Sequence, residues 1–169
     1  MREIVLDTET SGLSPKQGHR IIEIGCVELI DKVKTGIVYH QYINPEIDIH
    51  PRALKVHGIT NEFLNAYPKF NEIADSLLEF IGDDRLVIHN ARFDLGFLNV
   101  QLELCGLPRI VDRRVRCTML IAREKHGSPA TLDAMCARYK VDSSMRSVHH
   151  SALVDANVLA DMYVRMVKV

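Results

Sequence analysis

The sequence lacks several features that would place it in a specialised class of protein. No apolar run reaches the length of a transmembrane helix, and the N-terminus lacks the charged-then-apolar order of a signal peptide. The four cysteines are far apart and form no CxxC pair, which argues against structural zinc and against a disulfide framework. These absences predict a cytoplasmic protein with reduced cysteines and no membrane partner.

Phosphate-binding motifs and a strong net charge are absent as well. There is no GxGxxG and no GxxxxGK[ST], so neither dinucleotide binding nor P-loop hydrolysis has support. The net charge of −1 provides no overall basic field for a nucleic acid. A local basic stretch, RIVDRRVR at 109–116, leaves a nucleic acid partner open.

The pattern of apolar residues predicts one α/β domain covering residues 1–169. With 169 residues, 47% of them hydrophobic, the chain can bury a sizeable core. Strands come first, partly as an antiparallel hairpin, then strand and helix alternate, and helices finish the chain, which predicts a mixed sheet with helices on both faces. We expect strands at 3–7, 20–30, 34–43 and 85–89, a loop with one helical turn at 44–60, and helices at 71–82, 92–105, 118–127, 131–139 and 151–166.

Acidic residues stand next to apolar elements at three places in the sequence. Asp7 and Glu9 follow the run Ile4–Leu6, and their spacing puts both on one face of a strand. Asp94 lies in the first turn of a predicted helix, where capping is an alternative explanation. Asp155 lies within the apolar ridge of the last helix, where an acid needs a partner.

Carboxylates gathered from one strand and two helices are typical of a site for hard divalent cations. Mg²⁺ and Mn²⁺ prefer carboxylate oxygens and leave room for substrate phosphate. A pair of such ions suits phosphodiester cleavage, because together they stabilise the attacking and leaving oxygens. The reaction also needs a base near pH 7, and histidine is the obvious side chain.

Three segments of the chain resemble the three motifs of the DEDDh exonucleases. These are DTET-SG near the N-terminus, HNARFD in the middle and H-SALVD near the C-terminus. The segments VHGIT at 56–60 and TLDAMCARYKVD at 131–142 are most similar to the proofreading epsilon subunits of bacterial DNA polymerase III. The resemblance implies a ribonuclease H-like fold with a mixed five-stranded sheet, and 3′-to-5′ exonuclease activity with two Mg²⁺ or Mn²⁺ ions.

The resemblance also implies roles for the acidic residues. Asp7 would bridge the two ions, Glu9 and Asp155 would hold the ion on the nucleophile side, and Asp94 would complete the set through water. His150, five residues before Asp155, would be the general base.

The neighbouring His149 is interpreted as an exposed loop residue. The implied substrate residues include the ligands Asp7, Glu9 and Asp155, together with Thr10, Leu13, His57 and Phe93. Leu13 and His57 would enclose the terminal nucleotide, and Phe93 would line the floor of the pocket. Contacts of this kind accept any base.

Two departures from the family pattern are visible. Cys117 stands where the family commonly has an aspartate, and the printed sequence ends at Val169, where epsilon subunits usually continue into a segment that binds polymerase and sliding clamp. The implied partners are a DNA 3′ end, single-stranded or frayed, and the alpha and other core subunits of the polymerase.

Two other functions stay open at this point. One is a DEDDh nuclease that trims RNA or general DNA ends. The other is a non-catalytic binding module with the same fold, although a scaffold has no need for mutually repelling acids.

Overall fold

The first apolar run of the sequence forms the central strand of a five-stranded sheet. The computed structural model describes residues 1–146 and 150–168. In chain order, the strands are β1 (Arg2–Thr10), β2 (Ile21–Ile30), β3 (Val33–Tyr42), β4 (Arg85–Ile88) and β5 (Val115–Cys117), and their order across the sheet is β3-β2-β1-β4-β5. The first three strands are antiparallel, whereas β4 and β5 run parallel to β1, so the expected mixed sheet is confirmed.

Helices cover both faces of this sheet, as expected. They are α1 (Pro51–His57), α2 (Asn61–Leu64), α3 (Phe70–Ile81), α4 (Ala91–Leu104), α5 (Thr118–His126), α6 (Leu132–Tyr139) and α7 (Ala152–Lys168). Alternation along β1 divides the core, because Ile4 and Leu6 pack with α3 and α4 while Val5 packs with α6 and α7. Within residues 1–146 and 150–168, no helix has the length and apolar character needed to cross a membrane.

Two parts of the sequence-based expectation need correction. Strand β5 was not expected from the pattern, because three residues within a basic stretch are too short for alternation to be visible. The segment 44–60, expected to be a loop with one helical turn, contains the seven-residue helix α1, and α2 follows it directly. Helix α1 starts at Pro51 and ends at His57, followed by the C-cap Gly58 with a φ of 72°. Thr60 caps α2 through its side chain.

The end of β1 is the place where the sheet opens toward a functional site. Strand β1 pairs with β4 only as far as Val5, but it pairs with β2 through Thr10. Beyond β4 the chain turns at Asn90, whose φ is 60°, and enters α4. The first turn of α4 therefore lies beside the free edge of the last residues of β1.

A glycine allows α7 to approach the sheet at the same place. Gly25 of β2 lies opposite Asp7 in the strand register. A Cβ atom at Gly25 would lie 2.4 Å from the backbone nitrogen and Cα of Leu153. Only glycine permits this close approach, which seats the first turn of α7, with Asp155, next to the end of β1.

Candidate active site

Asp7 and Glu9 project from the end of β1 into a partly buried acidic cluster. Burial raises the pKa of Asp7 well above its usual range, and the charges of Asp94, Glu9 and Asp155 raise it further. Burial, followed by the charges of Asp155 and Glu23, raises the pKa of Glu9 to about 8. Such repulsion indicates a site that is completed by positive charge.

Asp94 is buried in the first turn of α4 and is bonded to β1 rather than to its own helix end alone. One carboxylate oxygen accepts hydrogen bonds from the Thr8 hydroxyl at 2.6 Å and from the Thr8 backbone nitrogen at 3.1 Å. Burial raises the pKa of Asp94, and the Thr8 hydroxyl bond opposes that rise. Capping of α4 therefore does not account for this acid.

Asp155 is buried in α7, and both of its carboxylate oxygens have partners. Arg146 donates from Nε to Oδ1 at 2.7 Å and from its terminal nitrogen to Oδ2 at 3.1 Å. The same guanidinium also forms an ion pair with Asp133. The sequence-based expectation that an inward acid on this helix needs a partner is met by Arg146, a residue that sequence reasoning did not select.

His150 lies beside Asp155, the residue with which the resemblance pairs it. Its Nδ1 is 3.1 Å from Asp155 Oδ2 and 3.4 Å from a terminal nitrogen of Arg146. The shorter contact favours an Nδ1–H group that donates to the carboxylate, which leaves Nε2 free to accept a proton. The imidazole is partly exposed, so water and substrate can reach it.

These groups fit a divalent cation by the chemistry of their donor atoms. One donor atom from each of Glu9, His150 and Asp155 can be chosen so that all three lie within 4.8 Å of one another. The clustered oxygens are the ligands that Mg²⁺ and Mn²⁺ prefer, and the described residues bring no cysteine sulfur into this group. Asp7 and Asp94 add further carboxylate charge to the same region.

Two of the residues expected to enclose a nucleotide, His57 and Leu13, lie near Thr10 at the end of β1. His57 is buried at the end of α1, and its Nε2 is 3.2 Å from the Thr10 carbonyl oxygen. The Thr10 hydroxyl donates to the Gly12 carbonyl oxygen at 2.7 Å, next to Leu13, whose side chain is exposed. Phe93, partly buried in α4, packs against Phe97. Each of these four residues stays a candidate for substrate contact.

Cys117 occupies the position where the resemblance implies an aspartate. It ends β5, and its Sγ accepts a hydrogen bond from the backbone nitrogen of Ala91 at 3.4 Å. Ala91 is the first residue of α4, so this cysteine contacts the start of the helix that carries Asp94. The expected free state of the cysteines agrees with the structure.

Sequence reasoning missed three residues near the site, which are Arg146, Thr8 and Glu23. Of these, Glu23 lies opposite Glu9 in the register of β1 and β2. Glu23 is fully buried between Ile22 and Ile24. An acid between two isoleucines of a predicted strand needs a partner or a function, and this signal could have selected Glu23. The expectation for His149 lies outside the described residues.

Comparison with known proteins identifies the family. Residues 4–163 match the family model described as Exonuclease, of the RNase T type. The DNA polymerase III subunit epsilon of Rickettsia felis is 49% identical over 175 aligned positions, which cover 98% of this chain and 74% of the relative. This chain belongs to the exonuclease family.

Solved structures of other exonucleases share the fold of this chain. Exonuclease X in complex with 5′-overhanging duplex DNA has a TM-score of 0.76 and 26% identity, covering 98% of this chain and 91% of that one. The nuclease domain of 3′hExo, a DEDDh family member bound to rAMP, has a TM-score of 0.80, with 99% of this chain and 92% of that chain covered. At 20% identity the second likeness concerns the fold, which is ribonuclease H-like. Nucleases of this type depend on divalent metal ions.

Proposed function

We propose that this exonuclease removes nucleotides from the 3′ ends of DNA and serves as the proofreading epsilon subunit of a bacterial DNA polymerase III. The observation that carries this proposal is 49% identity with an epsilon subunit over nearly the whole chain. A complete set of acids and an adjacent histidine at the end of β1 supports a catalytic role rather than a scaffold.

Asp7, Glu9, Asp94 and Asp155 would hold two Mg²⁺ or Mn²⁺ ions. When bound, the ions would supply positive charge for the attacking and leaving oxygens of phosphodiester hydrolysis. The acids themselves contribute a cluster whose mutual repulsion is relieved by cations, which favours binding of the ions over the metal-free state.

His150 would be the general base. With Nδ1–H donated to Asp155, the free Nε2 can take a proton from the attacking water while the carboxylate stabilises the imidazolium that forms. Asp155 would thus orient the base as well as hold metal. Proton transfer of this kind contributes about 10²- to 10⁴-fold to a rate.

The terminal nucleotide would lie between Leu13 and His57, with Phe93 at the floor of the pocket. Thr10 would hold this pocket together, because it bonds to His57 through its carbonyl oxygen and to Gly12 through its hydroxyl. Apolar and imidazole surfaces accept any base, as proofreading requires. A 3′ end must leave its duplex to enter such a pocket.

The proposed partners are those of an epsilon subunit: the alpha subunit and other core subunits of the polymerase. We propose residues 1–169 as a single exonuclease domain that acts in the cytoplasm, where bacterial DNA replication takes place. Similarity to bacterial polymerase subunits supports both statements.

The test of substrate class compares 3′-end release from four labelled oligomers. We expect single-stranded DNA and a duplex with a mispaired 3′ end to be cut faster than a fully matched duplex, because the last nucleotides must unstack. RNA of the same sequence should be the poorer substrate. Faster degradation of RNA would favour an exoribonuclease, and equal rates on matched duplex and single strand would contradict the pocket.

The test of the base is His150→Ala. We expect turnover to fall by about 10²-fold or more while Mn²⁺ still binds. The wild-type rate should rise with pH until the base is fully deprotonated, and then level off. His149→Ala is the neighbouring control and should change turnover little. An inactive His149 variant together with an active His150 variant would mean that the histidine of the third motif is His149 and not His150.

A further inference from the structure

Glu23 is a buried acid that the proposed chemistry does not use. Its side chain is fully buried in β2, and Oε1 accepts hydrogen bonds from Ser151 Oγ at 2.9 Å and contacts His40 Nε2 at 2.8 Å. The second oxygen, Oε2, is buried and has no hydrogen-bond partner among the described residues. Burying an unpaired carboxylate oxygen lowers stability, so a role in packing does not explain this residue.

The position of Glu23 lowers the stability of the fold in a second way. Glu9 lies directly opposite in the strand register, and the charge of Glu23 contributes to the raised pKa of Glu9. An amide or an apolar side chain would avoid this repulsion. Local features that lower stability are commonly found where a functional group has to be held in place.

Ser151 connects Glu23 to the reacting groups. It follows His150 directly, and its carbonyl oxygen accepts the hydrogen bond from the Asp155 backbone nitrogen at 2.8 Å. A hydrogen bond that restrains Ser151 therefore also restrains the proposed base and the start of the helical turn that carries Asp155. The backbone of His150 has a long contact of its own, from its nitrogen to the Val56 carbonyl oxygen at 3.4 Å.

We propose that Glu23 and Ser151 are positioning residues for the nuclease reaction: the buried carboxylate holds the serine hydroxyl, and the serine holds His150 in contact with Asp155. We call this pair, of which Glu23 lies in β2 and Ser151 directly precedes α7, the β2–α7 clasp. The inference rests on the proposed role of His150 as general base. It assigns no contact with substrate or metal to either member of the clasp.

The experiment measures kcat and KM on a single-stranded DNA oligomer for Ser151→Ala, Ser151→Thr and Glu23→Ala. We expect Ser151→Ala to lower kcat about tenfold with KM nearly unchanged, because a misplaced base slows the chemical step. Ser151→Thr keeps the hydroxyl and should restore most of kcat. Glu23→Ala should match Ser151→Ala, and the double variant should lose no more than either alone, as for two members of one interaction.

The matched control is Thr35→Ala. Thr35 donates to Glu28 Oε2 at 2.8 Å, so this variant also removes a hydroxyl–carboxylate bond between β2 and another element. We expect its kcat to equal that of the wild type. If Glu23→Ala fails to fold, the two Ser151 variants still decide whether the serine hydroxyl positions His150.

A readout independent of turnover is the NMR signal of the His150 imidazole in the metal-free protein, assigned through His150→Ala. We expect Ser151→Ala to broaden or shift that signal and Thr35→Ala to leave it unchanged. A wild-type signal and wild-type kcat in Ser151→Ala would overturn the clasp, as would equal losses in Ser151→Ala and Ser151→Thr. If His150→Ala itself keeps full turnover, the proposed base is wrong, and the NMR comparison still decides whether the clasp holds the ring.

Discussion

Arg146 shows how single residues keep this acidic site intact. Its guanidinium binds both oxygens of Asp155, and its charge also opposes the raised pKa values of Asp7 and Glu9. The side chain is 9% exposed, so solvent screens its interactions only weakly. Arg146 therefore occupies, in the metal-free protein, a carboxylate that the proposed function assigns to a metal ion.

Replacing Arg146 should strengthen metal binding. In Arg146→Gln, the competing cation next to Asp155 is gone, and a positive charge no longer repels an approaching Mn²⁺ ion. We expect Mn²⁺ to bind roughly tenfold more tightly, which corresponds to about 1.4 kcal/mol of electrostatic free energy. Calorimetric titration without nucleic acid provides the measurement.

The control for this change is Arg109→Gln. Arg109 is largely exposed and pairs with Glu103 on the surface, so its loss should leave Mn²⁺ affinity unchanged. Weaker Mn²⁺ binding in Arg146→Gln would contradict the competition and would mean that the guanidinium supports the metal site instead.

At the scale of elements, the site depends on how closely α7 packs on β2. The contact is between Gly25 and the backbone of Leu153, and backbone cannot rotate away from an added methyl group as a side chain can. Gly25 lies opposite Asp7, so any displacement of α7 moves Asp155 away from the acids of β1.

Gly25→Ala should therefore damage stability and activity together. We expect a loss of about 1–3 kcal/mol in the free energy of unfolding, the usual cost of overpacking, measured by urea denaturation. Turnover should fall by much more than the loss of folded protein alone would explain. Gly36→Ala is a matched control on β3 for activity alone, since a methyl group there meets open space although its φ of 87° disfavours alanine. Unchanged turnover in folded Gly25→Ala would contradict the link between this contact and the site.

The sequence predicted the elements that have clear periodicity and the acids that interrupt apolar runs. Asp7, Glu9 and Asp94 could be selected because an acid beside a buried element is unusual. Strand β5 could not be predicted, because three residues show no alternation and its pairing with β4 is a long-range contact. Arg146 could not either, because a cation is ordinary on a surface and only the folded chain brings it to Asp155.

At the scale of the whole molecule, the fold concentrates negative charge at one end of the sheet. Helices α4 and α7 each deliver an acid to the last residues of β1, from opposite faces of the sheet. The resulting stability should depend on pH and on metal, because the folded state holds protons that the unfolded chain would release.

The metal-free protein should lose stability as pH rises. The pKa of Glu9 is about 8 in the folded protein against 4.5 in the unfolded chain, and that of Asp7 is also raised, so the stabilising contribution of protonation is lost toward pH 8. Burial lowers the pKa values of His57 and His89 from 6.5, which opposes the trend at lower pH. We therefore expect the unfolding temperature to fall between about pH 6.5 and 8.

Two changes should reduce this dependence. Glu9→Gln has no charge to acquire, and a few millimolar Mg²⁺ stabilises the ionised acids, so both should flatten the curve of unfolding temperature against pH. A metal-free wild-type protein that becomes more stable from pH 6.5 to 8 would contradict the repulsion assigned to the acids.

The central claim is that the acids at the end of β1 make this chain a metal-dependent exonuclease. Its most direct test is the rate of 3′-end release from single-stranded DNA by the wild type and by Asp7→Ala, each with Mg²⁺ or Mn²⁺ and each with chelator. We predict that the wild type cleaves and that chelator abolishes its cleavage. Asp7→Ala should not cleave under any of these conditions. The variant should unfold at a temperature no lower than that of the metal-free wild type, because it loses a repelling acid. Undiminished cleavage by Asp7→Ala would contradict the claim.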